Sequence, residues 1–336
     1  MKAAYYQARR ELAVREAPDP EPGPTDILIH VRACGICGTD QHIYDGEVGG
    51  PFPLIGGHEL VGEVVAVGGQ IVEDIRVGQR VAVDPNVSCG SCFFCQRGQV
   101  NHCLRLSVIG VTRDGGFADY VVAPETHVYP VGDLDYEIAA FIEPISCVAY
   151  GLKRLRIPVG ANALIYGAGP IGLLMLQLVN HGGTGAVTIV DLKQDKLELA
   201  QRLGASDVVL ADGGADAALR TISPIGFDVV IDCTGVPFVV EHMFEHVRNE
   251  GKLLFFGVNP PEARISISPF DVYRKDLEVL GTFALRYSFH DAMALLRSGT
   301  VDVKPLLSDR FPIESFPEAL RLAGSGDALK VQIQPQ

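Results

Sequence analysis

The sequence predicts an α/β protein with a doubly wound parallel sheet and a second, β-rich domain. Three observations lead to this prediction. Short apolar runs alternate with helical stretches from about residue 146 to residue 285. The first 145 residues carry short strand-like runs separated by glycine and proline. A glycine-rich turn joins two apolar runs near the start of the alternating region. At 336 residues the chain is long enough for about two domains.

The β-rich region shows two kinds of strand pattern. Residues 26–33 alternate apolar and polar side chains, whereas residues 60–67 and 80–83 are dense in valine. Glycine and proline interrupt the region about every ten residues. These features predict a barrel-like antiparallel domain.

A first cluster of metal-ligand residue types interrupts this region. Cys37 lies in a short run that also holds Thr39, Asp40 and His42, and the pair His58-Glu59 follows two glycines some 20 residues later. Cysteine, histidine and glutamate are zinc ligands, and a catalytic zinc keeps one position open for water or substrate. Taken alone, Cys37 is more simply explained as a buried core thiol, and His58 as a loop histidine with satisfied hydrogen bonds. Their joint occurrence favours a catalytic metal site.

A second cluster consists of four cysteines at spacings of three, three and eight residues within a lobe at residues 86–104. Four thiolates can close a tetrahedral shell around one zinc ion and leave no open position, so this site is predicted to be structural. An iron–sulfur cluster is the alternative, but the run lacks the short fourth spacing and trailing proline of the bacterial ferredoxin motif. The ligands are Cys89, Cys92, Cys95 and Cys103.

The glycine-rich turn has the context of a dinucleotide-binding motif. A predicted strand (161–166) precedes it, and a predicted helix (170–180) and strand (186–190) follow. The glycines allow a tight turn, close approach of a pyrophosphate and close packing of helix on strand. Asp191, about 20 residues on, can bind ribose hydroxyls and would repel a ribose phosphate, which favours NAD over NADP. A βαβ unit without cofactor is the alternative. The predicted contacts are Gly167, Gly169, Pro170, Ile171, Gly172 and Asp191.

The rest of the middle region alternates predicted strands (207–210, 227–231, 252–256, 277–281) with predicted helices (194–203, 215–222, 238–247). Ligands of such sheets bind at the carboxyl ends of the strands. Cys233, near one such end, is interpreted as a small buried filler. Further predicted cofactor contacts are Lys196, Thr234, Val258, Thr282 and Phe283. After residue 283, helices are predicted at 289–297 and 314–323, and a closing strand at 329–333.

Composition excludes several classes of function. The formal net charge of −13 argues against a general nucleic-acid or anionic-membrane surface. No apolar run approaches the roughly 20 residues that a transmembrane helix needs. The N-terminus carries no recognisable signal peptide, so eight cysteines are expected to serve metal binding or chemistry in the cytoplasm rather than disulfides.

With these motifs together, the chain resembles the zinc-dependent medium-chain alcohol dehydrogenases. Residues 57–62 (Gly-His-Glu-Leu-Val-Gly) match the zinc signature, Cys37 matches the first zinc ligand, and the four-cysteine lobe matches the structural zinc. The resemblance covers essentially the whole chain. It implies a GroES-like catalytic domain at residues 1–145 and 286–336, a Rossmann coenzyme domain at 146–285, and two zinc ions per subunit.

Within the family, the Phe-Ile-Glu-Pro run at residues 141–144 is most similar to the polyol (sorbitol-type) branch. The resemblance implies that Cys37 and His58 bind the catalytic zinc and that Glu59 and Glu143 compete for the remaining places. Cys147 is a competing ligand. The further implied roles are a bond from Asp40 to the second ring nitrogen of His58, a proton relay through Thr39 and His42, and a substrate pocket that includes Tyr44 and Arg286.

The implied reaction is NAD-linked oxidation of a secondary hydroxyl of a polyol to the ketose. The resemblance also implies a homotetramer or homodimer. A simple secondary alcohol, butanediol or threonine is the alternative substrate. A non-catalytic paralogue that binds NAD and zinc is a further alternative, against which the complete set of zinc and relay residues argues.

Overall fold

The computed structural model describes residues 1–335, which form two compact units. The first unit contains Met1–Ser146, Leu285–Ala294 and the chain from Leu306 onward, and the second contains Cys147–Ala284 and Leu295–Pro305. Residues 295–305 thus lie in the second unit, whereas the range 286–336 given above would place them in the first. The reason lies in Gln177, whose side chain bonds both the backbone oxygen and the backbone N–H of Asp302, at 3.1 and 2.7 Å.

The part of the chain up to residue 155 is rich in strands. Its elements are β1 (Lys2–Ala8), β2 (Glu11–Glu16), β3 (Asp26–Gly35), α1 (Gly38–Tyr44), β4 (Leu54–Ile55), β5 (Glu59–Val67), β6 (Arg80–Val83), β7 (Asn86–Val87), β8 (Ser107–Val108), β9 (Tyr120–Pro124), β10 (Val128–Pro130), α2 (Tyr136–Ala139) and α3 (Ile142–Leu155).

The second part alternates strands and helices. Its elements are β11 (Asn162–Tyr166), α4 (Pro170–His181), β12 (Ala186–Asp191), α5 (Gln194–Arg202), β13 (Asp207–Leu210), α6 (Ala215–Ile222), β14 (Phe227–Asp232), α7 (Pro237–His242), β15 (Val247–Phe255), α8 (Pro269–Arg274) and β16 (Glu278–Gly281). The chain ends with α9 (Phe289–Arg297), β17 (Leu307–Phe311), α10 (Phe316–Ser325) and β18 (Lys330–Ile333).

The largest sheet of the first unit has the strand order β10-β6-β5-β3-β18-β17, with β9 also paired to β3. Its pairs are antiparallel except for β17 with β18, which confirms the predicted antiparallel domain. Three aromatic rings lie in its core: Phe316 packs 4.7 Å from Phe117 and 5.8 Å from Tyr6, between ring centroids.

The second unit contains a parallel sheet of order β13-β12-β11-β14-β15-β16. The order reverses between β11 and β14, as in doubly wound dinucleotide-binding folds, where the ligand crevice lies at this switch point. The predicted doubly wound sheet is therefore confirmed. Residues 172–179 of α4 are all buried, which explains the apolar body of this helix.

Two elements differ most from the sequence prediction. The helix expected at 238–247 ends at His242, and a single 3₁₀ turn (Met243–Glu245) follows it. The strand expected at 252–256 already begins at Val247, which pairs with Phe227 before an irregularity in the ladder. None of the described helices is long and apolar enough to cross a membrane.

Candidate active site

Strand pairing brings predicted zinc ligands of the first unit together. Strands β3 and β5 are antiparallel neighbours, and Gly35 at the end of β3 pairs with Glu59 at the start of β5. Cys37 follows β3 at the N-cap of α1. The Sγ atom of Cys37, a ring nitrogen of His58 and a carboxylate oxygen of Glu59 all lie within 4.8 Å of one another.

Two glycines make room for this arrangement. A Cβ atom at Gly35 would overlap the carboxylate of Glu59. Gly57 has a φ of +91°, and a Cβ atom there would lie 2.8 Å from the Sγ of Cys34. A larger residue at Gly35 would displace the Glu59 side chain, and one at Gly57 would overlap Cys34 and Phe117.

His58 has the environment of a metal ligand. The residue is 6% exposed, and its Nδ1 has no hydrogen-bond partner within the described chain. Burial lowers the pKa of His58, but the Cys37 thiol and the carboxylates of Asp40 and Glu143 outweigh it and hold that pKa well above its ordinary value. A buried nitrogen without a partner, surrounded by anionic groups, fits a zinc ion.

A buried lysine holds Glu59. The Nζ atom of Lys330 donates to Oε1 and Oε2 of Glu59 at 2.7 and 2.8 Å, and to the backbone oxygen of Ile36 at 3.2 Å. The side chains of Lys330 and Glu59 are only 5% and 1% exposed. Glu59 is therefore both close to the other ligand atoms and neutralised by an ammonium group.

Glu143 lies near the same group of residues. It is in the first turn of α3, is 9% exposed, and raises the pKa of both His58 and Lys330 by its charge. The carboxylate of Glu59 thus lies among the clustered ligand atoms, whereas Glu143 acts on His58 through its charge; their competition for zinc stays open. Cys147 is half-buried and is not among the three clustered ligand residues.

Asp40 contacts the site differently from the role that the resemblance implies. Its Oδ2 accepts the backbone N–H of Cys37 at 2.8 Å, and its Oδ1 accepts the hydroxyl of Tyr6 at 3.4 Å. Across residues 1–335 no hydrogen bond joins Asp40 to His58. As the third residue of α1, Asp40 forms a capping box with Cys37 and so holds the backbone of this predicted zinc ligand; a bond from Asp40 to His58 stays a prediction.

Thr39 and His42 both lie on α1, one helical turn apart. The hydroxyl of Thr39 is 3.8 Å from the Sγ of Cys37. Nδ1 of His42 is 2.6 Å from a carboxylate oxygen of Glu47. Thr39 thus lies beside the predicted zinc ligand Cys37, and His42 lies beside the carboxylate of Glu47, which follows the end of α1.

The predicted pocket residues occupy two places in the first unit. Tyr44 ends α1 and packs partly buried against the core. Arg286 is half-buried, and its neighbour Tyr287, at a φ of +49°, is 66% exposed. Tyr287 lies beside Gly98 of the cysteine lobe. A substrate role for Tyr44 and Arg286 stays a prediction.

The cysteine lobe is arranged for one tetrahedral ion. Sulfur–sulfur distances are 3.5 Å for Cys92–Cys95, 3.9 Å for Cys89–Cys95 and 3.9 Å for Cys92–Cys103. Zinc–sulfur bonds of about 2.3 Å in a tetrahedron require separations of about 3.8 Å. Within residues 1–335 none of the eight cysteines forms a disulfide.

Backbone amides stabilise thiolates in this lobe. The N–H of Ser91 and further donors lower the pKa of Cys89 to about 5, and amide donors from Cys95 and Leu104 also lower the pKa of Cys92. Burial and the neighbouring thiols raise the pKa of Cys95 to about 11. Thiolates that cannot all form without a cation are suited to a structural zinc.

The glycine turn of the second unit has the geometry that dinucleotide binding requires. Gly167 follows β11 with a φ of +99°, and a Cβ atom at Gly172 would overlap the Gly167 carbonyl. Gly169 caps α4, and among the described residues no atom lies within 4 Å of the position that its Cβ would take. The open space at Gly169 allows a pyrophosphate to approach the helix N-terminus.

Asp191 ends β12 beside this turn. Its Oδ2 accepts the N–H of Ala168 at 2.7 Å and its Oδ1 accepts the N–H of Lys193 at 2.9 Å. The carboxylate is thus fixed next to the glycines with lone pairs to spare for ribose hydroxyls. Lys196 lies in α5 and is 9% exposed; its contact with a ribose stays a prediction.

The other predicted cofactor residues follow the strands β14, β15 and β16. Asp232, which sequence reasoning missed, is fully buried and binds both the N–H and the hydroxyl of Thr234. Val258 and Phe283 are 58% and 54% exposed. The buried hydroxyl of Thr282 has no hydrogen-bond partner in the part of the chain that the structure describes. Cys233 is half-buried and packs near Gly172; its interpretation as a buried filler stays a prediction.

Comparison with known proteins decides the family. A family model for the alcohol dehydrogenase GroES-like domain matches residues 23–133, and one for zinc-binding dehydrogenases matches residues 170–298. The chain belongs to the zinc-dependent alcohol dehydrogenase family. This dehydrogenase is 37% identical to D-arabinitol dehydrogenase 1 of Uromyces fabae, over 100% of this chain and 97% of that protein. It is 36% identical to D-altritol 5-dehydrogenase of Agrobacterium fabrum, over 99% of each.

A similar solved structure supports the family assignment. A zinc-binding dehydrogenase from Sinorhizobium meliloti 1021, bound to NADP, superposes with a TM-score of 0.94 at 36% identity and covers 99% of both chains. The predicted family resemblance and fold class are confirmed. The dehydrogenase is an oxidoreductase whose cofactors are zinc and a nicotinamide dinucleotide.

Proposed function

We propose that this dehydrogenase oxidises a secondary hydroxyl of a polyol to a ketone and passes the hydride to NAD. The observation that carries the proposal is the buried group of Cys37, His58 and Glu59, with Glu143 beside it, in a chain whose relatives include D-arabinitol and D-altritol dehydrogenases. The Glu-Pro pair at 143–144 is the feature that resembles the polyol branch.

Cys37 and His58 would hold the catalytic zinc, with a carboxylate as third ligand. Zinc supplies Lewis acidity to the alcohol oxygen, and the nicotinamide accepts the hydride. Lys330 already neutralises both oxygens of Glu59, which weakens Glu59 as a metal ligand and favours Glu143. The four cysteines of the lobe would hold the structural zinc.

The chain's own residues provide a path for the proton of the alcohol. The hydroxyl of Thr39 lies beside Cys37, where it can accept and pass on a proton. At His42, donation from Nδ1–H to Glu47 leaves Nε2 with its lone pair. His42 can therefore take the proton at Nε2 while its Nδ1–H stays bonded to the Glu47 carboxylate.

The glycine turn, Asp191 and the strand-end residues Thr234, Val258, Thr282 and Phe283 would bind the cofactor. Asp191 supports NAD rather than NADP because a carboxylate at this position repels a ribose phosphate. The similar Sinorhizobium protein was solved with NADP bound. The preference of this chain for NAD over NADP is therefore a property to measure. A homodimer or homotetramer and a cytoplasmic location are further proposals from the family resemblance.

Replacing Asp191 by serine is expected to relax the cofactor preference. Loss of a charge-assisted bond to ribose costs roughly 1.5–3 kcal/mol, so kcat/KM with NAD should fall about ten- to hundredfold while the rate with NADP is unchanged or rises. Steady-state kinetics with both cofactors measure this ratio. Asp195→Asn, which removes an exposed carboxylate of α5, is the matched control. An unchanged ratio in Asp191→Ser would remove Asp191 from the cofactor site.

A substrate panel tests the proposed reaction. The zinc-loaded protein is mixed with NAD and with D-arabinitol, D-altritol, sorbitol, 2,3-butanediol, L-threonine or 2-propanol, and formation of reduced cofactor is followed by absorbance. We expect a polyol to exceed the other substrates about a hundredfold in kcat/KM, which is about 2.7 kcal/mol of transition-state discrimination. Equal rates with hydrophobic alcohols would contradict the polyol proposal. No turnover of any substrate would favour the non-catalytic paralogue.

A further inference from the structure

A second group of metal-ligand side chains lies in the second unit, apart from the residues assigned above. Asp216 is in the first turn of α6, His242 ends α7, and His246 follows the 3₁₀ turn at 243–245. The Oδ1 atom of Asp216 lies 2.8 Å from Nε2 of His242 and 3.2 Å from Nε2 of His246. One ligand atom from each residue lies within 4.8 Å of the others. The proposed dehydrogenase mechanism does not use these residues.

Local structure fixes the two rings. His242 and His246 are four residues apart along helical turns, a spacing that puts two side chains on one face, and their ring centroids are 5.2 Å apart. The ring of Phe238 stacks on His242 with an interplanar angle of 11°. The side chain of His246 is only 2% exposed, whereas that of Asp216 is 51% exposed. The group is therefore held by the protein on one side and open to solvent at the carboxylate.

The position of His242 is compatible with a metal ligand. Its Nε2 lies 2.8 Å from Oδ1 of Asp216, and its Nδ1 lies 3.5 Å from Oε1 of Glu245. A neutral imidazole carries one N–H. With that N–H on Nδ1, the Nε2 lone pair faces Asp216, and a bound cation would join the two groups. An outer carboxylate on the far ring nitrogen is the arrangement that orients metal-bound histidines.

The charges around the group also favour a cation. Asp216 and Glu245 contribute two negative charges, and Arg220, 3.4 Å from Glu245, contributes one positive charge. With neutral histidines the group is therefore negative. The hydroxyl of Tyr166, which is 6% exposed, has no hydrogen-bond partner in the described structure. Burial and, after it, the charges of Asp216 and Glu245 raise the pKa of Tyr166.

We propose that Asp216, His242 and His246 bind one divalent transition-metal ion, in addition to the two zinc ions that the family uses. Two imidazole nitrogens and one carboxylate oxygen suit Zn²⁺, Ni²⁺ or Cu²⁺, whereas Mg²⁺ and Ca²⁺ prefer oxygen ligands alone. Three protein ligands leave a position for water on the open side. The ion would join the start of α6 to the end of α7.

Metal stoichiometry tests this proposal. The zinc-loaded protein is dialysed against a series of free Zn²⁺ concentrations, and bound metal per chain is counted by mass spectrometry. We expect one more equivalent in the wild type than in Asp216→Asn or His242→Gln, whose affinity at this site should be at least about a hundredfold weaker. Asp195→Asn and His181→Gln change exposed residues of α5 and α4 and should match the wild type.

Cobalt provides a second measurement. Co²⁺ at the thiolate sites absorbs strongly through sulfur-to-metal charge transfer, whereas Co²⁺ at a site of nitrogen and oxygen ligands does not. The extra equivalent should therefore bind without adding charge-transfer absorption. Equal metal content in the wild type and in both ligand variants would overturn the proposal and leave a proton-bridged Asp–His group. The difference of one metal equivalent between the wild type and the ligand variants does not depend on turnover. A protein that shows this difference but oxidises no substrate would therefore contradict the proposed reaction and leave the proposed metal site intact.

Discussion

The His58→Ala enzyme should lose at least about a thousandfold in kcat/KM, or roughly 4 kcal/mol of transition-state stabilisation, while it still binds NAD. The reason is that His58 supplies a buried nitrogen without a partner to the predicted zinc site of the first unit, whereas the glycine turn and Asp191 belong to the second unit. Steady-state kinetics give the loss of activity. Titration with NADH, whose fluorescence changes on binding, gives the affinity for the cofactor, and metal analysis should show one zinc fewer per chain.

His181→Ala, an exposed histidine at the end of α4, controls for the loss of an imidazole and should retain wild-type activity. Circular dichroism checks that the His58 variant is folded. If NAD affinity fell as far as activity did, His58 would be a residue of the fold and the zinc assignment would fail.

Lys330→Met should lower the free energy of unfolding of the first unit by about 3–5 kcal/mol, because it leaves the Glu59 carboxylate buried without its ammonium partner. Both oxygens of Glu59 accept from Lys330, and both side chains are almost fully buried. Since the chain has two units, global denaturation need not be two-state. Hydrogen exchange of the β3 and β5 amides reports on the first unit alone.

The double variant Glu59→Gln/Lys330→Met should recover most of this loss, because neither buried charge remains. Arg76→Met, which breaks an exposed ion pair with Asp74, should change stability by less than about 1 kcal/mol. If Lys330→Met lowers the free energy of unfolding less in the zinc-loaded than in the zinc-free protein, the result would show that Glu59 binds the metal. A double variant as unstable as Lys330→Met would mean that the ion pair is not the cause.

The sequence predicted the second unit well where one local pattern determines each element. Strand β13 and helix α6 begin and end as expected, because each is a single apolar or amphipathic run between turn residues. Helix α3 was not predicted. It contains Pro144 and Gly151, which are poor helix formers, and residues 142–146 and 148–151 are all buried, so its first ten residues lack the polar face that marks a helix in a sequence.

The candidate site likewise contains residues whose grouping could be predicted from local sequence and residues whose grouping could not. Cys37 and the His58-Glu59 pair lie beside strand ends in short glycine-containing motifs, so their grouping could be predicted. Lys330 is 271 residues from Glu59, and only the pairing of β18 with β3 brings it near. A lysine inside a closing apolar strand was the available signal, because a buried charge needs a partner. The His–Asp group depends on three separate elements, and no spacing in the sequence connects Asp216 to His242.

The pairing of Gly35 with Glu59 links metal uptake to the completion of the sheet. A shift of one residue between β3 and β5 would turn the side chains of β5 to the opposite face, and Glu59 would leave the thiol of Cys37. A chain with mispaired strands therefore would not assemble the proposed catalytic zinc site, even with an ion in its cysteine lobe. On the proposed ligand assignment, zinc occupancy at His58 would distinguish correctly paired molecules from misregistered ones.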